Sequence, residues 1–235
     1  IQDFAEQIIG MNPMKIEQIW ETIFRKTFWG MGGGTVVSAG MSAIDIALLD
    51  VKGKALGVPV YELLGGKTNE ELRTYASQVQ FGWGNRVTKQ QLDDPEEYAD
   101  VTRAVIEEGY DCVKVDPIIV PDQSGKSWKI HGPLQKHVIQ RVYDRVAAMR
   151  EAGGEELDII IEMHSNTDTT AAIQVAEALE PLRIFYYEEP VHPLNVENFV
   201  ELKKKTKIPI ASGERIYTRQ GYRQFFEKRV LDVVQ

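Results

Sequence analysis

Apolar and polar residues follow two different rhythms along the chain, and the change falls near residue 70. Before it, "MKIEQIWETIFRKTF" places apolar residues three and four positions apart, which predicts an amphipathic helix. The segment from about Val36 to Leu56 is apolar on several faces, so it predicts a buried helix that ends at Gly57 and Pro59. We therefore interpret residues 1–70 as helical.

After residue 70, short apolar segments alternate with longer amphipathic ones. Six segments predict strands, and they read "RTYASQVQ", "DCVKVDP", "LDIIIEMH", "RIFYYEEP", "IPIASGE" and "LDVVQ". Five predicted helices separate them, and a long polar loop at about 118–132 precedes the second of these helices. Alternating strands and helices predict a parallel sheet with right-handed crossovers.

The predicted strands are rich in Ile and Val, as a sheet covered by helices requires. Two α/β architectures fit this pattern. One is an open doubly wound sheet, and the other is a TIM-type (β/α) barrel of which about six of the eight strands are present. Since no G-x-G-x-x-G follows the first predicted strand, a dinucleotide-binding fold is disfavoured.

Ionisable residues stand at the carboxyl ends of consecutive predicted strands. Residues two apart in a strand share a face, so Glu162 and His164 should point the same way, and so should Lys114 and Asp116. The carboxyl ends of parallel strands are where α/β folds build their sites. We therefore expect these four side chains at one rim of the sheet.

Three glutamates stand at equal spacing in this half of the chain. Twenty-six residues separate Glu162 from Glu188, and the same number separates Glu188 from Glu214. One βα unit lies within each interval, so the three should come from adjacent strands. Glu188 and Glu189 must point in opposite directions, and parity alone does not decide which of them faces the site.

Three carboxylates crowded together need a counter-charge, because like charges raise each other's pKa and burial adds to the effect. A divalent cation provides that charge. Hard oxygen ligands suit Mg²⁺ best and Mn²⁺ next, whereas zinc favours histidine or thiolate. The strand ends therefore predict a Mg²⁺ site with a small-molecule ligand.

Composition narrows the range of partners. The 235 residues carry a formal net charge of −8, which argues against a nucleic-acid-binding surface. The sequence has no apolar stretch of 18 residues and no signal-peptide pattern, so we expect no membrane span. The one cysteine, Cys112, cannot form an internal disulfide, and a cytoplasmic location fits. Because the chain opens without Met and closes on an apolar run, we expect a longer protein.

The motifs "IEMHS", "YYEEP" and "ASGERIY", at this spacing, resemble the metal-binding strand ends of the enolase superfamily, in its mandelate racemase/muconate lactonizing enzyme branch. The stretch "SAGMSAIDIALLDVKGKALGVPVYELLGG" is also typical of that branch. The resemblance implies that residues 1–70 are the helical part of an α+β capping domain. It implies that residues 71–235 are an incomplete (β/α) barrel.

The resemblance also implies ligand roles. Glu162, Glu188 and Glu214 correspond to the three Mg²⁺ ligands of the family, although Glu162 stands where Asp is more common. Lys114 corresponds to the first lysine of a Lys-x-Lys motif. Asp116 replaces the second lysine, which in many members is the base, so proton abstraction by a lysine there is not expected.

His164 resembles the histidine of sugar-acid dehydratases of the galactonate type. The implied activity is Mg²⁺-dependent dehydration of an aldonate or aldarate, through α-proton abstraction to an enediolate and loss of the β-hydroxyl group. His164 would be the general acid, Lys114 would help to neutralise the substrate carboxylate, and Asp116 would contact substrate. The base is expected beyond residue 235. Family members are commonly even-numbered assemblies, which implies a homo-oligomer.

Other functions fit the same residues. A racemase or epimerase of an α-hydroxy or amino acid would use the same site without loss of water. A catalytically silent metal-binding homologue or scaffold would bind Mg²⁺ without exchanging any α-proton. A Schiff-base aldolase built on Lys114 is a further alternative.

Overall fold

A computed structural model describes residues 2–28, 30–118 and 130–235. The chain divides into two units, Ile1–Leu72 and Arg73–Gln235, which we describe separately. The long polar loop predicted at about 118–132 falls largely on residues 119–129, which lie outside the described residues.

The first unit is built from helices. They are α1 (Gln2–Ile8), α2 (Ile16–Lys26), α3 (Thr35–Leu56) and α4 (Val60–Leu63). The predicted apolar stripe of α2 supplies Ile19 and Ile23 to a small core. That core is completed by Phe4 of α1 and by Met41 and Ile44 of α3. One stripe of α3 therefore packs against the two helices that precede it.

Helix α3 ends where the sequence predicted, but it is not buried all round. Gly57 takes the left-handed conformation with φ 70°, and its N–H donates to the carbonyl of Lys54 at 3.3 Å. Val36 is 86% exposed, and Ile46 is exposed too. The prediction of a buried helix was wrong for these exposed faces, because an apolar pattern identifies faces that favour burial without identifying what covers them. Within the described residues, no helix combines the length and the apolar composition needed to cross a bilayer.

The second unit contains a five-stranded parallel sheet in the order β1-β2-β3-β4-β5. The strands are β1 (Cys112–Val115), β2 (Asp158–Glu162), β3 (Tyr186–Glu188), β4 (Ile210–Ser212) and β5 (Val233–Val234). The helices are α5 (Pro95–Glu107), α6 (Lys136–Gly153), α7 (Thr169–Leu179), α8 (Val196–Lys203) and α9 (Thr218–Lys228). The prediction of an α/β fold with a parallel sheet is confirmed.

The first of the six predicted strands is reduced to a single bridge. Ala76 pairs in parallel with Val113, its N–H donates to the Cys112 carbonyl at 2.9 Å, and its carbonyl accepts from Lys114 at 2.7 Å. Gln78 then takes φ 62°, which turns the chain out of the extended conformation into a 3₁₀ turn at Val79–Phe81. The described residues thus hold five strands and this bridge.

The two faces of the sheet have different surroundings. One face joins the large core, in which strand residues pack with residues of the helices; its members include Val113, Ile159, Ile161, Tyr187, Val105, Val142, Val146, Val175 and Phe199. Among the described residues, the buried cluster on the other face consists of four strand residues: Cys112, Ile160, Tyr186 and Ala211. By strand parity, this second face also carries Lys114, Glu162 and Glu188.

Candidate metal and catalytic site

Glu162 and Glu188 are the last residues of neighbouring strands and lie opposite each other in the parallel register. Both side chains are buried. Lys114 of β1 reaches both carboxylates, with its Nζ 3.0 Å from Glu162 Oε2 and 2.9 Å from Glu188 Oε1. Its ammonium also lies 5.3 Å from the ring centroid of Tyr75. The structure therefore brings these three predicted residues together.

The contacts set the charge of this cluster. Burial alone would lower the pKa of Lys114, but its hydrogen bonds to Glu188 and Glu162, together with the negative charges of these groups, outweigh burial and raise that pKa. Burial and the nearby charge of Glu188 raise the pKa of Glu162, and Lys114 opposes this effect. One ammonium thus faces two carboxylates, and the cluster retains an excess of negative charge when both carboxyl groups are ionised.

One carboxylate oxygen of the cluster lacks a partner. Glu188 Oε2 is one of only two buried side-chain oxygen or nitrogen atoms, among residues 2–28, 30–118 and 130–235, that have no hydrogen-bond partner. Leaving a buried acceptor unsatisfied costs about 1–3 kcal/mol. A hard cation would satisfy this oxygen and balance the excess charge. The buried pair therefore fits a divalent metal ion.

His164 lies beside this pair. Its Nδ1 is 2.9 Å from Asp116 Oδ2, and its Nε2 is 3.5 Å from Glu162 Oε1. Strand β2 has already ended at Glu162, so strand parity does not set the direction of His164. A left-handed turn, with φ 49° at His164, directs the imidazole towards the buried pair instead. The hydrogen bond to Asp116 raises the pKa of His164, burial opposes it, and the charges of Glu162 and Glu214 add to the rise.

Asp116 was predicted to contact substrate, and the structure gives it a different neighbour. The residue is only 1% exposed, and its carboxylate contacts His164. Its other oxygen, Oδ1, accepts from the Ile118 backbone N–H at 3.2 Å. A direct contact with substrate stays a prediction, whereas the contact with the imidazole is present.

Glu214 does not join the other two glutamates. Strand β4 ends at Ser212, so parity no longer sets the direction of Glu214. Its side chain is 42% exposed and forms an ion pair with Arg215 Nη1. In the part of the chain that the structure describes, no group of three or more His, Cys, Asp and Glu side chains is placed to hold a metal ion. Two of the three predicted ligands are therefore assembled, and the third role stays a prediction.

Sequence reasoning missed a second polar cluster at the same rim. The buried carboxylate of Glu189 accepts hydrogen bonds from Ser165, Ser212 and Arg215. Parity indicated that Glu189 points away from Glu188, but it did not indicate what Glu189 contacts. The sequence signal for this cluster was the presence of "EEP" and "GER" at the ends of successive predicted strands.

Two family models match the chain. Residues 1–65 match the mandelate racemase / muconate lactonizing enzyme N-terminal domain, and residues 97–235 match the enolase C-terminal domain-like family. Together the two matches cover most of the sequence. The chain therefore belongs to the enolase superfamily, in its mandelate racemase/muconate lactonizing enzyme branch, which confirms the resemblance found in its motifs.

Relatives within the family include sugar-acid dehydratases. The chain is 31% identical over 235 residues to the D-gluconate dehydratase of Thermoproteus tenax, covering 44% of that protein. It is 31% identical over 235 residues to the D-galactonate dehydratase of Variovorax paradoxus, covering 56%. Both alignments cover 100% of the chain, which thus spans about half the length of the curated relatives it matches.

A solved structure matches more closely in sequence. A member of the enolase superfamily from Salmonella Typhimurium superposes with a TM-score of 0.94 at 52% identity. The match covers 99% of this chain and 60% of the Salmonella protein. At this identity the likeness extends beyond the fold to the family.

Proposed function

We propose that the complete protein is a Mg²⁺-dependent dehydratase of an acid sugar, either an aldonate or an aldarate. The relatives named as gluconate and galactonate dehydratases support this class of substrate. The observation that carries the proposal is the buried pair Glu162 and Glu188, with an unpartnered oxygen on Glu188 and the His164–Asp116 pair alongside. Carboxylates for a cation thus lie next to a proton donor.

The distribution of helices favours a (β/α) barrel over a doubly wound sheet. A doubly wound sheet has helices on both faces, whereas the described residues buried on the second face here all belong to strands. In a barrel that face is the interior, and the active site lies at the carboxyl ends of the strands. Lys114, Glu162 and Glu188 stand on this face near those ends. We therefore propose that the sheet is a section of a barrel wall.

Glu162, Glu188 and Glu214 are the residues that would hold Mg²⁺, with Mn²⁺ as a substitute. All three offer hard carboxylate oxygens, the donor type that these cations prefer. When bound, the metal supplies Lewis-acid stabilisation of the negative charge that develops on a substrate carboxylate as its α-proton is removed.

His164 is the proposed general acid. Because its Nδ1 is engaged by Asp116 Oδ2, Nε2 is the atom that can deliver a proton. Transfer of that proton to the β-hydroxyl group lets the group leave as water while the Cα–H electron pair forms the new C=C bond. Asp116 orients the imidazole and stabilises its charged form. The α-proton goes to a base that we expect in the rest of the protein.

Lys114 is the proposed source of positive charge for the substrate carboxylate. Its two carboxylate partners and raised pKa keep the amine protonated, and a protonated amine is not a Schiff-base nucleophile. This argues against an aldolase mechanism built on Lys114.

The test is a screen of the complete protein with Mg²⁺ against aldonic and aldaric acids, with 2-keto products detected by semicarbazide. In D₂O, His164→Asn should still exchange the α-proton of a substrate while product formation falls by about 10²–10⁴-fold. His137→Asn, a change at an exposed histidine at the start of α6, is the matched control and should keep wild-type rates.

Each remaining outcome has a distinct meaning. Exchange of the α-proton without loss of water would replace the dehydratase with a racemase or epimerase. Absence of exchange with every acid sugar would identify a silent metal-binding homologue. Full dehydratase activity in His164→Asn would remove the acid role of His164.

A further inference from the structure

Glu189 is a carboxylate to which the proposed reaction assigns no role, although it follows Glu188 directly. It is 0% exposed. Its Oε1 accepts from the Ser212 hydroxyl and, at 3.4 Å, from the Gly213 N–H. Its Oε2 accepts from the Ser165 hydroxyl at 2.5 Å and from Arg215 Nη1 at 2.7 Å. A buried charge needs such donors, and here four are provided.

The donors come from the strand ends that carry the predicted metal ligands. Ser165 follows β2 three residues after Glu162, and Ser212 ends β4 two residues before Glu214. Glu189 itself follows β3 immediately after Glu188. One carboxylate therefore joins three neighbouring strand ends, each bearing one predicted ligand.

Arg215 extends the network to Glu214. Its Nη1 contacts Glu189 Oε2 and also Glu214 Oε1. The same nitrogen lies 3.4 Å from the Ser165 hydroxyl. Arg215 therefore links Glu189 to Glu214, the glutamate that lies outside the buried pair.

The backbone at these strand ends is strained. Glu189 has φ 44°, and His164 and Ser165 have φ 49° and 58°. For residues other than glycine the left-handed region costs of order 1 kcal/mol each, and it persists where surrounding contacts impose it. The Ser165 N–H donates to the Glu189 carbonyl at 2.8 Å, so the two strained turns are also bonded to each other.

We propose that Glu189 is a positioning residue that aligns the three ligand-bearing strand ends, with Arg215 relaying its position to Glu214. The inference rests on the proposed metal site. It states that Glu189 affects cation affinity although Glu189 would not contact the cation. Glu189→Gln keeps the shape of the side chain and removes its charge. Arg215 would then pair with Glu214 alone and draw that carboxylate away from the cation.

The test measures Mn²⁺ binding to the complete protein, by the loss of the free-ion electron paramagnetic resonance signal. Glu189→Gln should weaken Mn²⁺ binding by about 10–100-fold, the range typical of residues that support metal ligands. Arg150→Met, which removes a guanidinium bonded to the carbonyls of Leu157, Leu182 and Arg183 before β2 and β3, is the control for lost stability and should bind Mn²⁺ as the wild type does. An equal loss in both variants, or none in Glu189→Gln, would overturn the inference.

Arg215→Gln and the double variant test the relay. If Arg215 acts through the same path, the double variant should lose no more Mn²⁺ affinity than Glu189→Gln alone, whereas additive losses would exclude the relay. If Glu189→Gln does not fold, Ser212→Ala removes a single donor and should still weaken binding about threefold on the loss of one hydrogen bond. Unchanged binding in Ser212→Ala would then count against the network.

These outcomes separate the inference from the proposed function. A wild-type protein that binds Mn²⁺ but dehydrates no acid sugar would refute the proposed reaction. The role of Glu189 would then be decided by Mn²⁺ binding to Glu189→Gln. Normal activity with unaltered binding in Glu189→Gln would refute the positioning role alone. A wild-type protein that binds no Mn²⁺ would refute both.

Discussion

At the scale of single residues, Lys114 is the electrostatic centre of the site. Its ammonium is the countercharge that touches both Glu162 and Glu188, and all three side chains are at most 11% exposed. Removing one partner from a buried ionic cluster typically costs about 3–5 kcal/mol, because the remaining charges stay buried without compensation. A bound dication would provide the same compensation, so lysine and metal would stabilise the same carboxylates.

We therefore expect Lys114→Met to lower the free energy of unfolding by about 3 kcal/mol in EDTA. Saturating Mg²⁺ should restore more stability to the variant than it adds to the wild type, because the variant lacks the ammonium. Urea unfolding with and without Mg²⁺ measures both effects. The exposed ion pair of Lys228 with Glu197 provides the control, since Lys228→Met should cost at most about 1 kcal/mol. Equal Mg²⁺ effects in variant and wild type would contradict this prediction.

Strand parity explains which of these residues could be predicted. It left open whether Glu188 or Glu189 faces the site, and the family resemblance selected Glu188, which the structure places with Lys114 and Glu162. The equal spacing of the three glutamates did not bring Glu214 to the buried pair, because Glu214 lies two residues beyond the end of β4. His164 lies near Glu162 as expected, but a left-handed turn brings it there. The alternation of apolar residues does not predict such a turn.

At the scale of secondary-structure elements, a buried arginine connects α6 to its neighbours. Arg145 is fully buried in α6 and donates to the Pro117 carbonyl at 2.8 Å and to the Asp93 carbonyl at 3.1 Å. It also contacts Asp93 Oδ1 at 2.6 Å, and its guanidinium lies 5.2 Å from the Tyr98 ring. One side chain thus joins α6, the segment before α5 and the end of β1.

Arg145→Met should reduce the free energy of unfolding by about 3 kcal/mol, because the buried Pro117 carbonyl and the partly buried Asp93 carbonyl lose their donor. Arg141 lies one turn earlier on the same helix and contacts the same Asp93 at 3.2 Å, but it is more exposed. Arg141→Met should therefore cost less than about 1 kcal/mol. Chemical denaturation of the two variants in parallel provides the measurement, and similar losses would show that burial of Arg145 contributes little.

The positions of helices along the chain were more predictable than the surroundings of each helix and strand. Helical periodicity located α2 and α5 through α9, because an amphipathic helix repeats its apolar residues every three to four positions. It could not show that α3 keeps residues such as Val36 exposed. The segment "RTYASQVQ" has the composition of a strand, yet the left-handed Gln78 ends pairing after one bridge.

At the scale of the whole molecule, binding of a metal ion should increase the free energy of unfolding. A ligand that binds only the folded state at 100 times its dissociation constant adds about 2.7 kcal/mol. We expect saturating Mg²⁺ to raise the melting temperature of the complete protein by several degrees relative to EDTA, and scanning calorimetry measures the shift. In Glu162→Gln/Glu188→Gln the shift should vanish, and a shift that persists there would place the metal elsewhere.

Strand–helix alternation was enough to predict the parallel sheet, since parallel strands need crossover connections. It did not distinguish an open sheet from a barrel, because both architectures share that alternation. The proposal of a barrel rests on the three-dimensional structure, in which the described residues buried on one face of the sheet all belong to strands. A homo-oligomeric state and a cytoplasmic location stay predictions, since neither leaves a pattern within one chain.

The parallel pairing of β2 with β3 has a consequence for how such a protein can diversify. Glu162 and Glu188 are register partners, so backbone hydrogen bonding sets the spacing of their main chains at about 4.8 Å. Segments that follow the strands can lengthen, shorten or change composition without altering that interval. Substrate specificity could thus change through the loops that follow the strands, while Glu162 and Glu188 keep the same main-chain separation.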